Sequence, residues 1–234
     1  MNQGLTLITP TGGRTKAAAL CQRWMAAQTY SGPVRWIVVD DGEQPEPWTF
    51  RRDGWSLELI RRESFWKHGE NTQAVNLLTA LDRVSISERV VCIENDDHYS
   101  PQWLEIVDKH LERAELVGEY RARYYNVATK QGRQLNNTQH ASLCCTAMRG
   151  AAIETFRKVC KPGVQFIDLS LWRAHPSKLL FSGANVTGIK GLPGRCGIGV
   201  GHKPDFHGTK DTDGALLREW IGQDAELYIG LTCS

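Results

Sequence analysis

The sequence predicts an α/β protein, an open and mainly parallel sheet flanked by helices. Three observations predict it. Strand-like apolar stretches alternate with stretches whose apolar residues recur every three or four positions. Several of the strand-like stretches are continuously apolar, as befits strands covered on both faces in a parallel sheet. Three of them end in polar clusters, which is where ligands bind in such sheets.

Taken in order, Leu5 to Thr9 reads as a strand stopped by Pro10 and a Gly12-Gly13 turn. In the helix that follows, Ala17, Leu20, Cys21, Trp24 and Ala27 share one face until Ser31-Gly32-Pro33 ends it. Val34 to Val39 is a second strand, and Ser56 to Arg62 a third beyond a loop bearing Pro and Trp. Between Glu70 and Arg83, Ala74, Leu77, Leu78 and Leu81 mark another helix, and Arg89 to Ile93 a fourth strand. Ser100 is placed to cap a helix with Pro101 at its first position, its core face formed by Trp103, Val107, His110 and Leu111. The remainder is less regular: a strand with alternating character over 119–129, and short helices over 152–160 and from Asp168. Residues 183–214 read as a long Gly-rich loop of the kind that often forms a lid.

At 234 residues and 41% hydrophobic content, the chain predicts a single domain over 1–234. A net charge of +2 leaves any affinity for a polyanion to a local patch. The seven cysteines are odd in number and lack CxxC spacing, which argues for reduced, buried thiols and against a zinc or redox site. The absence of a long apolar run or a secretory leader predicts a soluble, cytoplasmic protein.

The chemistry concentrates at the strand ends: Thr9-Pro10-Thr11-Gly12-Gly13-Arg14, Asp40-Asp41-Gly42 and Glu94-Asn95-Asp96-Asp97. Each alone could be a turn. Together they place at least five carboxylates on one rim, where they repel one another unless a cation or a set of donors is bound. Carboxylates suit Mg²⁺ or Mn²⁺, hard cations that share their oxygen ligands with phosphates, so a diphosphate substrate follows. The first loop lacks the GxxxxGK[ST] and GxGxxG spacings, which lowers the weight of ATPase and dehydrogenase readings.

The runs LITPTGGRTKAAAL, WIVVDDG, GENTQAVN and VCIENDDHYSPQWL, in this order over residues 4 to 115, resemble the nucleotide-sugar-binding half of GT-A glycosyltransferases. The resemblance implies a Rossmann-like donor half over 1–115 and an acceptor-binding half over 116–234. It implies that Thr9, Pro10, Arg14 and Asp41 hold nucleobase and ribose, and that Asn71, Gln73 and Asn76 lie near the ribose. Glu94, Asp96 and Asp97 fall on the family's DxD motif, with Asp96 as metal ligand and Glu94 a departure from the usual Asp. Asp168 stands in the position of the acceptor-activating base, with Ile167 replacing its usual Glu partner; a helix N-cap is the competing role. A short match to a late His-containing motif makes His202 a metal ligand, with His207 as competitor, and makes Lys203 and Arg195 phosphate contacts.

The expected activity is metal-dependent glycosyl transfer with inversion from a nucleotide-diphospho-sugar, a UDP-sugar foremost, with Mn²⁺ or Mg²⁺. The rivals are a sugar-phosphate nucleotidyltransferase and a catalytically silent binding module. Arg113, Arg121, Arg123, Lys130 and Arg133 interleave with Tyr120, Tyr124 and Tyr125. A charged edge strand explains that pattern, and so does a nucleic-acid footprint, which makes a hydroxymethylated pyrimidine in DNA one acceptor to test.

Overall fold

The computed structural model describes residues 4–67, 72–164, 166–195, 197, 199–203 and 206–231. Strands β1 (Leu5–Thr11), β2 (Val34–Asp40), β3 (Trp55–Arg61) and β4 (Arg89–Cys92) pair in parallel in the order β4-β1-β2-β3. The sheet is completed from the second half of the chain by β6 (Leu116–Glu119), β9 (Thr146–Arg149) and β10 (Lys178–Phe181). The seven-stranded order is β10-β6-β9-β4-β1-β2-β3, and β9 alone among these strands runs antiparallel to its neighbours. A smaller sheet, β12-β8-β7-β11-β5, joins β5 (His98–Tyr99), β7 (Arg123–Asn126), β8 (Gln131–Gln134), β11 (Val186–Lys190) and β12 (Thr209–Lys210). The two halves of the sequence therefore interleave: the second supplies three strands to the central sheet and the first supplies β5 to the smaller one.

The helices are α1 (Thr15–Ala26), α2 (Gln73–Leu81), α3 (Trp103–Leu111), α4 (Ala151–Val159), α5 (Ile167–Ala174) and α6 (Ala215–Ile221). Helix α1 buries Ala17, Ala18, Cys21, Trp24 and Met25, whereas Ala27, expected on that face, lies beyond the helix and is exposed. Helix α2 packs on β1 and β2, and α3 on β4, β6 and β9. Leu7, Ile8, Ile37, Val38, Val90 and Val91 are wholly buried in the central strands, each worth about 1.5–3 kcal/mol of transfer free energy. Trp36 anchors an aromatic group with Trp48, Phe50 and Trp55.

Several local expectations are corrected. Strand β1 does not stop at Pro10 but runs through it to Thr11, opposite Val39 and Asp40. Ser100 does not cap α3: the helix begins at Trp103, and the Ser100 hydroxyl donates to Asn185 Oδ1. The single strand expected over 119–129 is two strands, β6 and β7, parted where Arg121 takes a left-handed conformation (φ 60°). The 183–214 segment is not all loop, because β11 lies within it and is buried along its whole length. Of the helix expected from Glu70, residues 70 and 71 lie outside the described residues. Cys21, Cys92, Cys144, Cys145 and Cys160 are free and buried.

Candidate functional site

The parallel pairing of β2, β1 and β4 brings the three polar strand ends together, because their register places Thr11 beside Asp40 and Ile8 beside Cys92. Beyond these ends lies a cleft of about 410 Å³. Pro10, Arg14, Gln73, Asn76, Glu94 and Asp96 line one part of it; Asp168, His202, Arg195 and Lys190 line the remainder together with Trp66 and Phe166.

Asp96 is buried and is faced by three basic groups: its Oδ2 lies 3.0 Å from Arg14 Nη1, 3.8 Å from Lys190 Nζ and 3.8 Å from His202 Nε2. Burial by itself would raise the carboxyl pKa, but the charges of Arg14 and Lys190 outweigh it and hold Asp96 below the usual carboxylate range. His202 is shifted to about 3 by burial first and by Lys190 second, so its imidazole is neutral at pH 7 and able to bind a metal. Its Nδ1 is buried without a hydrogen-bond partner. A carboxylate oxygen and an imidazole nitrogen facing one another fit a divalent ion, and the nitrogen favours Mn²⁺ over the more strictly oxygen-ligated Mg²⁺. His207, the competing ligand, is exposed.

Asp97 points elsewhere. Its Oδ1 accepts the Ile189 N–H and the Lys190 ammonium, both at 2.9 Å, so it ties β11 to the end of β4. Glu94 Oε1 accepts from Gln73 Nε2 at 2.6 Å, and its Oε2 lies 3.7 Å from Lys190 Nζ. Glu94, Asp97 and Cys144 bring potential ligand atoms within 4.8 Å of one another. That group is a poor site for a hard cation, since the hydrogen bond between Cys144 and Cys145 and burial push the Cys144 thiol up and keep it protonated.

Lys190 was not anticipated from the sequence. Burial alone would lower its pKa, but Asp96, Asp97 and Glu94 reverse this and push the ammonium well above its ordinary value. Its chain is seated beneath Gly201, and its Nζ lies 5.4 Å from the centre of the Tyr124 ring. The only advance signal was a Lys ending an apolar run.

Asp41 and Arg195, assigned separately to the nucleobase and the phosphates, pair with each other. Arg195 Nη1 donates to Asp41 Oδ1 at 2.6 Å and to Thr72 Oγ1 at 3.2 Å, and its guanidinium lies 4.9 Å from the Trp66 ring centre. The Arg195 N–H also donates to Gly13 O, so the Gly-rich segment is latched onto the β1 and β2 ends. Gly194 is required there: with φ 110°, a Cβ would collide with Gly13 O.

In the cleft wall, Thr11 Oγ1 donates to Glu46 Oε2 at 2.6 Å and accepts from Asn95 Nδ2 at 2.7 Å. Asn76 Nδ2 reaches Thr11 O at 3.4 Å, a long contact. Glu46, in an unremarked loop, was not anticipated. Asp40 turns away from the cleft to accept the N–H groups of Gly42 and Glu46 and to pair with Arg61. Three further expected residues fall outside the cleft lining: Asp41, which is fully buried against Arg195, Thr9 and Lys203. Thr9 is fully buried with its hydroxyl accepting the Trp36 indole N–H at 2.9 Å, and Lys203 is exposed. Asn71 lies outside the described residues.

Asp168 lines the cleft from the first turn of α5, whose N-cap is Phe166. It does not cap the helix, although its Oδ1 accepts the Leu169 N–H at 2.8 Å. Burial raises its pKa above the usual Asp value, only partly offset by that N–H and by His140. Phe166 is 43% exposed, an unusual exposure for a large apolar residue lining a cleft. Of the Arg/Tyr-rich stretch, Tyr125 is buried and Tyr124 turns to the cleft with its hydroxyl at Ser142 Oγ, so neither forms an outer stacking face.

No protein-family model and no curated protein matches the chain. Solved structures do. TarS of S. aureus matches with TM-score 0.59 at 14% identity, over 80% of this chain and 37% of that one. TarS 1–349 in complex with UDP-GlcNAc matches with TM-score 0.56 at 14% identity, over 80% of this chain and 58% of that one. The mannosyltransferase PcManGT of Pyrobaculum calidifontis, in complex with GDP-Man and Mn²⁺, matches with TM-score 0.56 at 15% identity, over 82% of this chain and 58% of that one. The chain thus has a glycosyltransferase fold, a mostly parallel sheet flanked by helices, and spans less than two thirds of these neighbours' lengths. Among the described residues, no helix is long and apolar enough to cross a membrane.

Proposed function

We propose that this chain is a single-domain GT-A glycosyltransferase that moves a sugar from a nucleotide-diphospho-sugar to an acceptor hydroxyl with inversion. One observation carries the reading: Asp96, His202, Arg14 and Asp168, from four separate parts of the sequence, line one cleft beyond the carboxyl ends of parallel strands. The neighbours support it, since their complexes hold UDP-GlcNAc or GDP-Man, the latter with Mn²⁺.

In this reading the donor's nucleoside lies toward Asp41, Asn76 and Pro10, and its diphosphate toward Arg14 and Asp96. Mn²⁺, held by Asp96 and His202, would supply Lewis-acid neutralisation of the departing diphosphate. Asp168 takes the proton of the acceptor hydroxyl as its oxygen bonds to the anomeric carbon; the bond from that carbon to the diphosphate oxygen breaks, and the nucleoside diphosphate leaves. The raised pKa of Asp168 suits a base that must accept a proton near neutrality. Arg14 answers the charge that grows on the leaving group. Phe166, exposed beside Asp168, offers an aromatic face to the acceptor.

The test is donor hydrolysis and transfer with UDP-GlcNAc, other UDP-sugars and GDP-Man, each with Mn²⁺, against carbohydrate acceptors and hydroxymethylated DNA. Turnover of one donor that Asp168→Asn abolishes supports the proposal. Binding of nucleotide-sugars without any turnover replaces it with a silent binding module. The DNA acceptor has no support among the neighbours, and transfer confined to carbohydrates would remove it.

A further inference from the structure

Lys190 is the least expected charge in the cleft. Its ammonium is 2.9 Å from Asp97 Oδ1, 3.7 Å from Glu94 Oε2 and 3.8 Å from Asp96 Oδ2, so one cation serves three carboxylates. Arg14 supplies a second cation at 3.0 Å from the same Asp96 oxygen. Formally, three negative charges less two positive leave this cluster at −1, little attraction for a free divalent ion. Two further observations show that the cluster is not saturated. Asp97 Oδ2, an acceptor, is buried with no hydrogen-bond partner, and so is His202 Nδ1, leaving polar capacity unspent around the ammonium.

Lys190 is also positioned to move charge without moving backbone. It ends β11, which is buried throughout and paired in register with β7. The residue after it, Gly191, turns with φ 74° into the segment that carries Arg195 and His202. The lysine therefore lies where β11 passes into the segment that carries Arg195 and His202, on a four-carbon stem whose ammonium can trade one anion for another.

We propose that Lys190 is a tethered counter-ion that occupies the carboxylate cluster in the empty protein, so that a divalent cation enters only together with a diphosphate. When both arrive, the phosphate oxygens become the partners of Lys190 and Arg14, and Asp96 is released to the incoming metal. Charge is conserved in the exchange: the metal brings two positive charges, the diphosphate the negative charges that the two side chains then face. Lys190 is thus a positioning residue for metal and donor, and it rests on the donor reading above.

The experiment measures free Mn²⁺ by electron paramagnetic resonance during titration of the wild-type chain, Lys190→Met, Lys190→Gln and Lys190→Arg, all without nucleotide. Circular dichroism and thermal melts establish that each is folded, and Lys190→Gln serves if Lys190→Met is not. The neutral variants are expected to bind Mn²⁺ about tenfold more tightly than the wild type, and Lys190→Arg to match it. A neutral variant that folds and binds Mn²⁺ no more tightly than Lys190→Arg overturns the counter-ion role. A second arm adds UDP or GDP, whichever raises the melting temperature. Wild-type Mn²⁺ affinity should rise at least about tenfold with the bound nucleotide, and an unchanged affinity overturns the coupled entry. Should neither nucleotide bind, the donor reading fails by itself, and the nucleotide-free comparison still decides the role of Lys190.

Discussion

Asp96 Oδ2 and His202 Nε2 face each other across 3.8 Å, one at the exit of β4 and the other in the Gly-rich segment far along the chain. Two ligands of one small cation stand at about this separation, so in the proposed reading this pair is where a metal would join the two regions. Asp96→Asn is expected to abolish the part of the melting-temperature shift by UDP or GDP that depends on Mn²⁺. His202→Ala should weaken Mn²⁺ binding in the nucleotide complex by at least about tenfold. Thermal scans with and without Mn²⁺ check both, and an unchanged Mn²⁺ dependence in Asp96→Asn would remove it as a ligand.

Asp168 provides a pH signature. A base must be ionised to accept a proton, and burial raises the pKa of this one above the ordinary 3.8. With Asp168 as the proposed base, turnover is expected to fall as pH drops through the raised value, on an acid limb above that of a solvent-exposed aspartate. Asp168→Asn should lose about 10²–10⁴-fold in kcat and retain donor binding. The pH dependence of kcat and isothermal titration of the donor measure these; kcat retained in the variant would assign Asp168 a structural role.

The Arg195–Asp41 pair latches the Gly-rich segment and is largely excluded from solvent. Arg195→Met leaves the Asp41 carboxylate buried and unpaired, and should destabilise the protein by about 3 kcal/mol. Asp41→Asn with Arg195→Met should cost less than the sum of the two single changes, with a coupling of about 1–3 kcal/mol. Urea unfolding of the four proteins in the cycle measures it, and additive effects would show that the latch contributes no interaction energy.

Asp211 anchors α6 although Gly214 is that helix's N-cap. Its two oxygens accept the N–H groups of Leu216 at 2.9 Å and Leu217 at 3.1 Å. Burial opposes ionisation, but these N–H groups lower its pKa below the ordinary aspartate value. The folded state thus favours the charged form, and the stabilisation is complete above about pH 4 and lost as pH falls through the lowered folded value. Asp211→Ala should cost about 1 kcal/mol at pH 7, or about 2–4 °C in Tm. The difference from wild type should shrink in melts at acid pH, and a pH-independent difference would mean that packing rather than charge is lost.

The first half of the chain was legible because its signals are local. The apolar runs of β1, β2 and β4 and the three- and four-residue spacing of α1 and α2 are fixed by nearest neighbours in sequence, and polar residues ending such strands fall on one edge once the strands are parallel. The second half was less legible because its strands pair with distant partners. β11 lies between β7 and β5 in a Gly-rich segment that reads as loop, and β9 crosses antiparallel between β4 and β6. Glu46 and Thr9 illustrate the same limit at single residues: one sits in a featureless loop yet holds Thr11, while the other reads as a strand end yet lies within β1 and is committed to Trp36.

By itself, the sequence determined that an α/β sheet would present polar clusters at the ends of its first, second and fourth strands, with carboxylates at the second and fourth, since periodicity and strand-end composition are properties of consecutive residues. The tertiary structure alone decided what those carboxylates face. It turned Asp40 away to Arg61, gave Asp41 to Arg195, set Asp96 against His202 and placed Lys190 among three acids. The partner of a buried charge is chosen by where the chain returns in space, and no spacing within a single segment encodes that return.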